Sequence, residues 1–232
     1  MSGASRERII DAVRRGLHRG ALDAEGRAEC EIRLANHPTG PIPARGALQG
    51  EALVALFAEK AEGVSASVER IADLGDLPAA VARYLKAHNL PAAIRLAPAP
   101  MLAQLDWSKE PLIEVSAGPS DGSHKVALSP AFAGVAETAT LMMVSGPEAP
   151  TTLNFLPDHH LVLLPRSRLV GDYETAWARL RAGYGAGEMP RAVNLVTGPS
   201  RSADIGHVPQ LGAHGPRRLH ILILDDEAAP ER

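Results

Sequence analysis

The residues best suited to chemistry lie in Leu195-Val196-Thr197-Gly198-Pro199-Ser200-Arg201-Ser202-Ala203-Asp204, where an apolar strand runs into a turn. In an α/β protein ligands bind at the carboxyl ends of strands. Gly198, Ser200, Arg201, Ser202 and Asp204 combine backbone N–H groups and hydroxyls with a guanidinium and a carboxylate. N–H groups and hydroxyls can cradle a phosphate or carboxylate, and Arg201 can grip it bidentately. Such a charge-assisted contact contributes roughly 1.5–3 kcal/mol. The competing reading pairs Asp204 with Arg201 as a staple across the turn.

Glu137 is the second candidate, in the small-residue stretch Gly134 to Leu141. A partly buried carboxylate there can act as base or nucleophile; equally, it can cap N–H groups where the next strand begins. Thr138 and Thr140 would share one face of a strand and could turn their hydroxyls toward Glu137's cleft, or serve as ordinary β formers. His159 and His160 are consecutive, so a strand points them to opposite faces and they do not share a metal. His160 either lines the pocket or hydrogen-bonds inside the domain. Beyond the arginine turn, His214 either shares a pocket with Arg201 and His207 or stabilises its own turn. His37 is a candidate interface residue. Cys30 lies between Glu29 and Glu31, whose charges disfavour a thiolate. No zinc-spaced cluster, Gly-x-Gly-x-x-Gly or P-loop is present, so no metal or nucleotide site is expected.

Elements must position these groups. A first helix is expected over about residues 6–18, capped by Ser5, with Ile9, Val13 and Leu17 as one apolar stripe. Residues 20–47 change character, and Pro38, Pro41 and Pro43 make an extended strap. From Leu48 helix and strand alternate. Helices are expected over 48–62 and 77–88, and strands over 64–71, 92–96 and 112–115. Apolar bursts at 125–128, 140–144, 161–164, 193–196 and 219–224 suit strands buried on both faces. The burst at 161–164, a helix over 172–181 and the burst at 193–196 read as a parallel crossover unit. The division is an N-terminal helix and strap (1–47), an α/β domain (48–225) and a tail (226–232).

Composition narrows the function. Hydrophobic residues make up 45% of the 232, enough for a full core, while aromatics are only 3%. The net charge of −3 and the lack of a basic run argue against nucleic-acid binding. With one cysteine the chain cannot hold an iron–sulfur cluster by itself, which generally takes four thiolates. No apolar run approaches the ~18 residues of a membrane span. A polar start without a signal-peptide core makes a cytoplasmic location the expectation.

Three segments together resemble one family: Gly134-Val135-Ala136-Glu137-Thr138-Ala139-Thr140-Leu141, Leu156-Pro157-Asp158-His159-His160-Leu161-Val162, and Thr197 to Asp204 followed by His214-Gly215-Pro216 and a last strand. Their order and spacing are similar to the lactate-utilisation protein C family, whose conserved region is the LUD domain. The resemblance runs from about residue 48 to 225. It implies a Rossmann-like α/β fold with a mainly parallel sheet flanked by helices, similar to ribose-5-phosphate isomerases and CoA transferases. CoA transferases use a glutamate nucleophile, an analogy for Glu137. The resemblance also implies a non-redox role in oxidising L-lactate to pyruvate, beside partner proteins that carry iron–sulfur clusters. The family usually has glycine where Ala139 stands; if φ there is positive, alanine is strained. The alternative is a free-standing enzyme or binding protein for a small anion: a sugar phosphate, a carboxylate or an acyl-CoA.

Overall fold

The computed structural model describes residues 3–18, 20–185, 187–202 and 210–226. Internal contacts separate two units, Met1–Pro41 and Ile42–Arg232. The first holds α1 (Gly3–Gly16) and α2 (Ala24–Asn36). α1 starts at Gly3, ahead of the expected Ser5 cap. α2 occupies residues expected to belong to a strap. Its two large apolar residues, Ile32 and Leu34, stand two apart, off the helical period, so periodicity hid the helix, but its ends are specified. Asp23 accepts the Gly26 N–H at 2.8 Å, and His37 closes the last turn at φ 44° with its N–H on Arg33 O. The extended segment is confined to residues 37–43, where the prolines lie.

In the second unit six parallel strands form the central sheet, in the order β1 (Ser67–Ile71), β12 (Arg218–Leu224), β7 (His159–Pro165), β4 (Val126–Pro130), β2 (Ala93–Leu96), β3 (Glu114–Ala117). Side chains alternate across it. Leu161, Leu163, Leu222 and Leu224 face one layer, where α4 (Leu77–Ala87) supplies Leu77, Val81 and Leu85. Val162, Leu164, Ile221 and Ile223 face the other, where α3 (Gly50–Gly63) supplies Val54, Phe57 and Ala61. Burial on both faces is why these strands read as unbroken apolar runs.

A second sheet, β8 (Leu169–Val170), β5 (Ala133–Val135), β6 (Thr140–Val144), β9 (Val193–Val196), shares α3's side. After the single-turn helices α5 (Pro100–Ala103) and α6 (Thr152–Phe155) comes α7 (Tyr173–Tyr184); Leu141 and Met143 pack toward the central sheet, and Met142 packs outward with Ala176 and Leu180 of α7. This corrects the expected crossover unit. β7 and β9 belong to different sheets, and β9 pairs antiparallel with β6, Leu141 opposite Val196. β9 is only half-buried, and Leu195 is 45% exposed. One-sided burial suits an antiparallel edge strand.

The chain passes from β2 outward to β3, then returns to β4 on the other side of β2. The carboxyl ends of β2 and β4 therefore flank a topological switch point, where open α/β sheets bind ligands. The molecule is thus an α/β protein of Rossmann-like layering with a mainly parallel sheet. No helix among the described residues is long and apolar enough to cross a membrane.

Candidate functional site

β5 and β6 form a hairpin closed by residues 136–139. Ala139 is buried at φ 53°, the left-handed conformation that suits glycine. That turn gathers side chains an extended strand would hold apart. Thr138 Oγ1 lies 2.8 Å from Thr140 Oγ1 and 3.0 Å from the Tyr173 hydroxyl. Thr140 Oγ1 is also 2.7 Å from Tyr173 and 2.5 Å from Thr197 Oγ1. Each hydroxyl brings one proton and accepting lone pairs, so the group is one cooperative network.

Glu137 is 6% exposed and lies beside this network. Its Oε1 accepts the Tyr173 N–H at 3.3 Å, at the first turn of α7, where the helix dipole favours negative charge. Its Oε2 is 3.7 Å from Arg45 Nη2, and its own N–H donates to Gly171 O at 3.1 Å. Gly171 has no room for a side chain: a Cβ would sit 1.7 Å from Gly46 O. That backbone contact brings Arg45 to the carboxylate. Capping an N–H and pairing with Arg45 are what the geometry displays for the Glu137 carboxylate. Neither Arg45 nor Tyr173 was singled out in the sequence, because both lie far from Glu137 along the chain and carry no local motif.

The second candidate segment leaves β9 through Gly198 at φ 82°, where a Cβ would meet Val64 O at 2.8 Å. Ser200 N–H donates to Pro216 O at 2.8 Å, and Ser200 O accepts from Gly212 N–H at 3.0 Å. Ser200 Oγ accepts the His214 N–H at 3.1 Å. The Gly-Pro-Ser turn and the His-Gly-Pro segment are therefore one structure, and Ser200's N–H is engaged within it. β10 (Arg201–Ser202) pairs with β11 (Gln210–Leu211), leaving Arg201 exposed and Ser202 buried. The His214 imidazole stands on an exposed residue. Asp204 and His207 lie outside the described residues. Thr197 immediately precedes Gly198, so its bond to Thr140 joins the Glu137 loop to the base of the arginine turn.

The two consecutive histidines part company. His159 Nδ1 is 3.0 Å from the Tyr84 hydroxyl on the α4 side. His160 is fully buried on the opposite face, with Nε2 2.6 Å from Ser129 Oγ, so it serves the interior of the sheet. Burial pushes the His160 pKa down to about 4. His220, against Tyr84 and Ser67, is likewise depressed by burial to about 4. Cys30 is exposed.

One feature had no signature in the sequence. A cleft of about 560 Å³ opens at the switch point, beyond Pro130 of β4 and the Ala99-Pro100-Met101 segment that follows β2. Pro98-Ala99-Pro100 reads only as an interruption, and the groups opposite it come from residues 132, 144–149, 168 and 184.

A layered α/β protein with a parallel sheet and a ligand-sized cleft at its switch point is the class these features define. The LUD domain profile matches residues 54–224, and the chain belongs to that family. A crystal structure of a DUF162 family protein from Deinococcus radiodurans shares the fold, with TM-score 0.55, 18% identity, and 77% of this chain and 99% of that one covered. An uncharacterized protein of Neisseria meningitidis serogroup B is 37% identical over 125 residues, 53% of this chain and 49% of its own. Lactate utilization protein C of Shouchella clausii is 31% identical over 93 residues, 40% of this chain and 41% of its own. The matched segments thus span less than half of these relatives' lengths.

Proposed function

We propose that this chain is a non-redox component of a lactate-utilisation system that oxidises L-lactate to pyruvate. The observation that carries the reading is its kinship, through the LUD domain, with proteins named lactate utilization protein C. Its single cysteine supplies at most one thiolate, so the iron–sulfur clusters that take the two electrons belong on partner proteins. On this reading the Gly198 turn holds a small anion through Arg201, in the cytoplasm. Deleting the gene should abolish growth on L-lactate, and the tagged chain should co-purify with a cysteine-rich protein. Normal lactate-dependent growth after deletion would sink the proposal.

The hydroxyl network beside Glu137 favours a second reading, a free-standing enzyme acting on a small anion. It expects turnover of a sugar phosphate or CoA ester by the isolated chain, reduced ~10²-fold or more in Glu137→Gln. An unchanged rate in that variant removes Glu137 from the mechanism.

A further inference from the structure

The switch-point cleft is separate from the arginine turn. β6 connects them, with Thr140 in the hydroxyl network and Val144 on the cleft wall. At ~3.3 Å per residue, these ends of the strand are about 13 Å apart. The cleft's volume of about 560 Å³ lies within the roughly 300–1,000 Å³ typical of sites for small organic molecules. A three-carbon acid would leave most of it to water. Its walls are apolar, formed by Met101, Pro130, Phe132 and Val144.

Arg168 is the cation that lines it. Its Nη1 donates to Ala131 O at 2.7 Å, which fixes the guanidinium against the end of β4. That bond uses one of five N–H groups, and a planar fork suits a carboxylate. Burial lowers the Arg168 pKa, with Arg179 nearby and Asp226 opposing the shift; arginine still stays charged at neutral pH. Such a half-buried cation gains more from an anionic ligand than an exposed one does. Glu148, exposed at the mouth, disfavours a dianion.

We infer that this cleft binds an organic monocarboxylate with an apolar body, its carboxylate on Arg168 and its chain against Phe132 and Met101. The inference goes beyond the proposed function, because it assigns a second ligand at a second place.

The test is calorimetry on the full chain with sodium octanoate, and with octanamide as the uncharged control. Octanoate should bind saturably, octanamide at least ~10-fold more weakly, and Arg168→Gln should lose at least ~10-fold for octanoate. Lys86→Ala, which removes an exposed cation on α4, should leave octanoate binding unchanged. Met101→Trp, which fills the cleft from a half-buried position, should block binding and carries the test should Arg168→Gln fail to fold. Absence of saturable octanoate binding would overturn the inference. So would equal affinity for the amide, or binding that survives Met101→Trp. Lactate-dependent growth is a separate readout, so failure here and failure of the lactate reading are distinguishable.

Discussion

At its Thr140 end, β6 meets β9, α7 and the 136–139 turn, and four hydroxyls close the space between them. At its Val144 end the same strand passes into residues 145–150, whose Gly146–Ala149 bridge turns the chain aside and leaves a cleft. One ladder thus supports two unlike regions. The first is crowded, polar and bent, with Ala139 in a left-handed conformation and two glycine backbones in contact. The second is open and apolar around one guanidinium. A hydrogen-bonded network needs volume removed, whereas a binding site needs volume left empty. The sequence segments 134–141 and 197–202 mark the first region, while the second is visible only in the packed chain.

Acid should test whether the two ends stand or fall together, and this is the largest effect expected. His160 and His220 take a proton near pH 6.5 when unfolded but only near about 4 when folded. The unfolded chain binds more protons in that interval, so stability is complete above pH 6.5 and is lost as pH falls toward 4. Each group withdraws on the order of 3 kcal/mol. Trp177 fluorescence in a Trp107→Phe background, reporting α7, and amide hydrogen-exchange protection of residues 141–145, reporting the cleft end of β6, should be lost at the same pH if the ends form one cooperative unit. Separate midpoints would break the comparison into two independent subdomains.

Crowding at the polar end is tested next by Gly171→Ala. A methyl placed on the Gly46 carbonyl must force the segments apart, costing about 3 kcal/mol in urea unfolding. A loss below about 1 kcal/mol would show that this end is not closed. The smallest effect sharpens the contrast. Thr140→Val leaves the Thr138, Tyr173 and Thr197 hydroxyls short of a partner and should cost about 2 kcal/mol. Ser145→Ala at the cleft end loses one bond, from the Ala192 N–H, and should cost about 1 kcal/mol or less. Equal losses at both positions would remove the distinction.

Much of this fold was legible along the chain. Leu161 to Leu164 and Leu219 to Leu224 announce doubly buried strands, because burial on both faces selects apolar residues without a break. Period-two alternation separated His159 from His160, and the structure sends them to opposite faces. Glycine at 198 announces a turn, and the backbone there does take a positive φ. α2 was hidden because Ile32 and Leu34 do not fall at helical spacing, so the helix shows itself through its caps instead.

Most element types, α2 excepted, and the doubly buried, parallel character of the main sheet were therefore set by sequence alone. These are written in local patterns, over spans where backbone geometry dictates side-chain direction. Only the tertiary structure decided that β9 joins β6, that Thr140 meets Thr197 across 57 positions, that Glu137 rests on α7, and that a cleft stays open at Arg168. Such pairings depend on which distant surfaces exclude water together, and that choice is made by the packing of the whole chain.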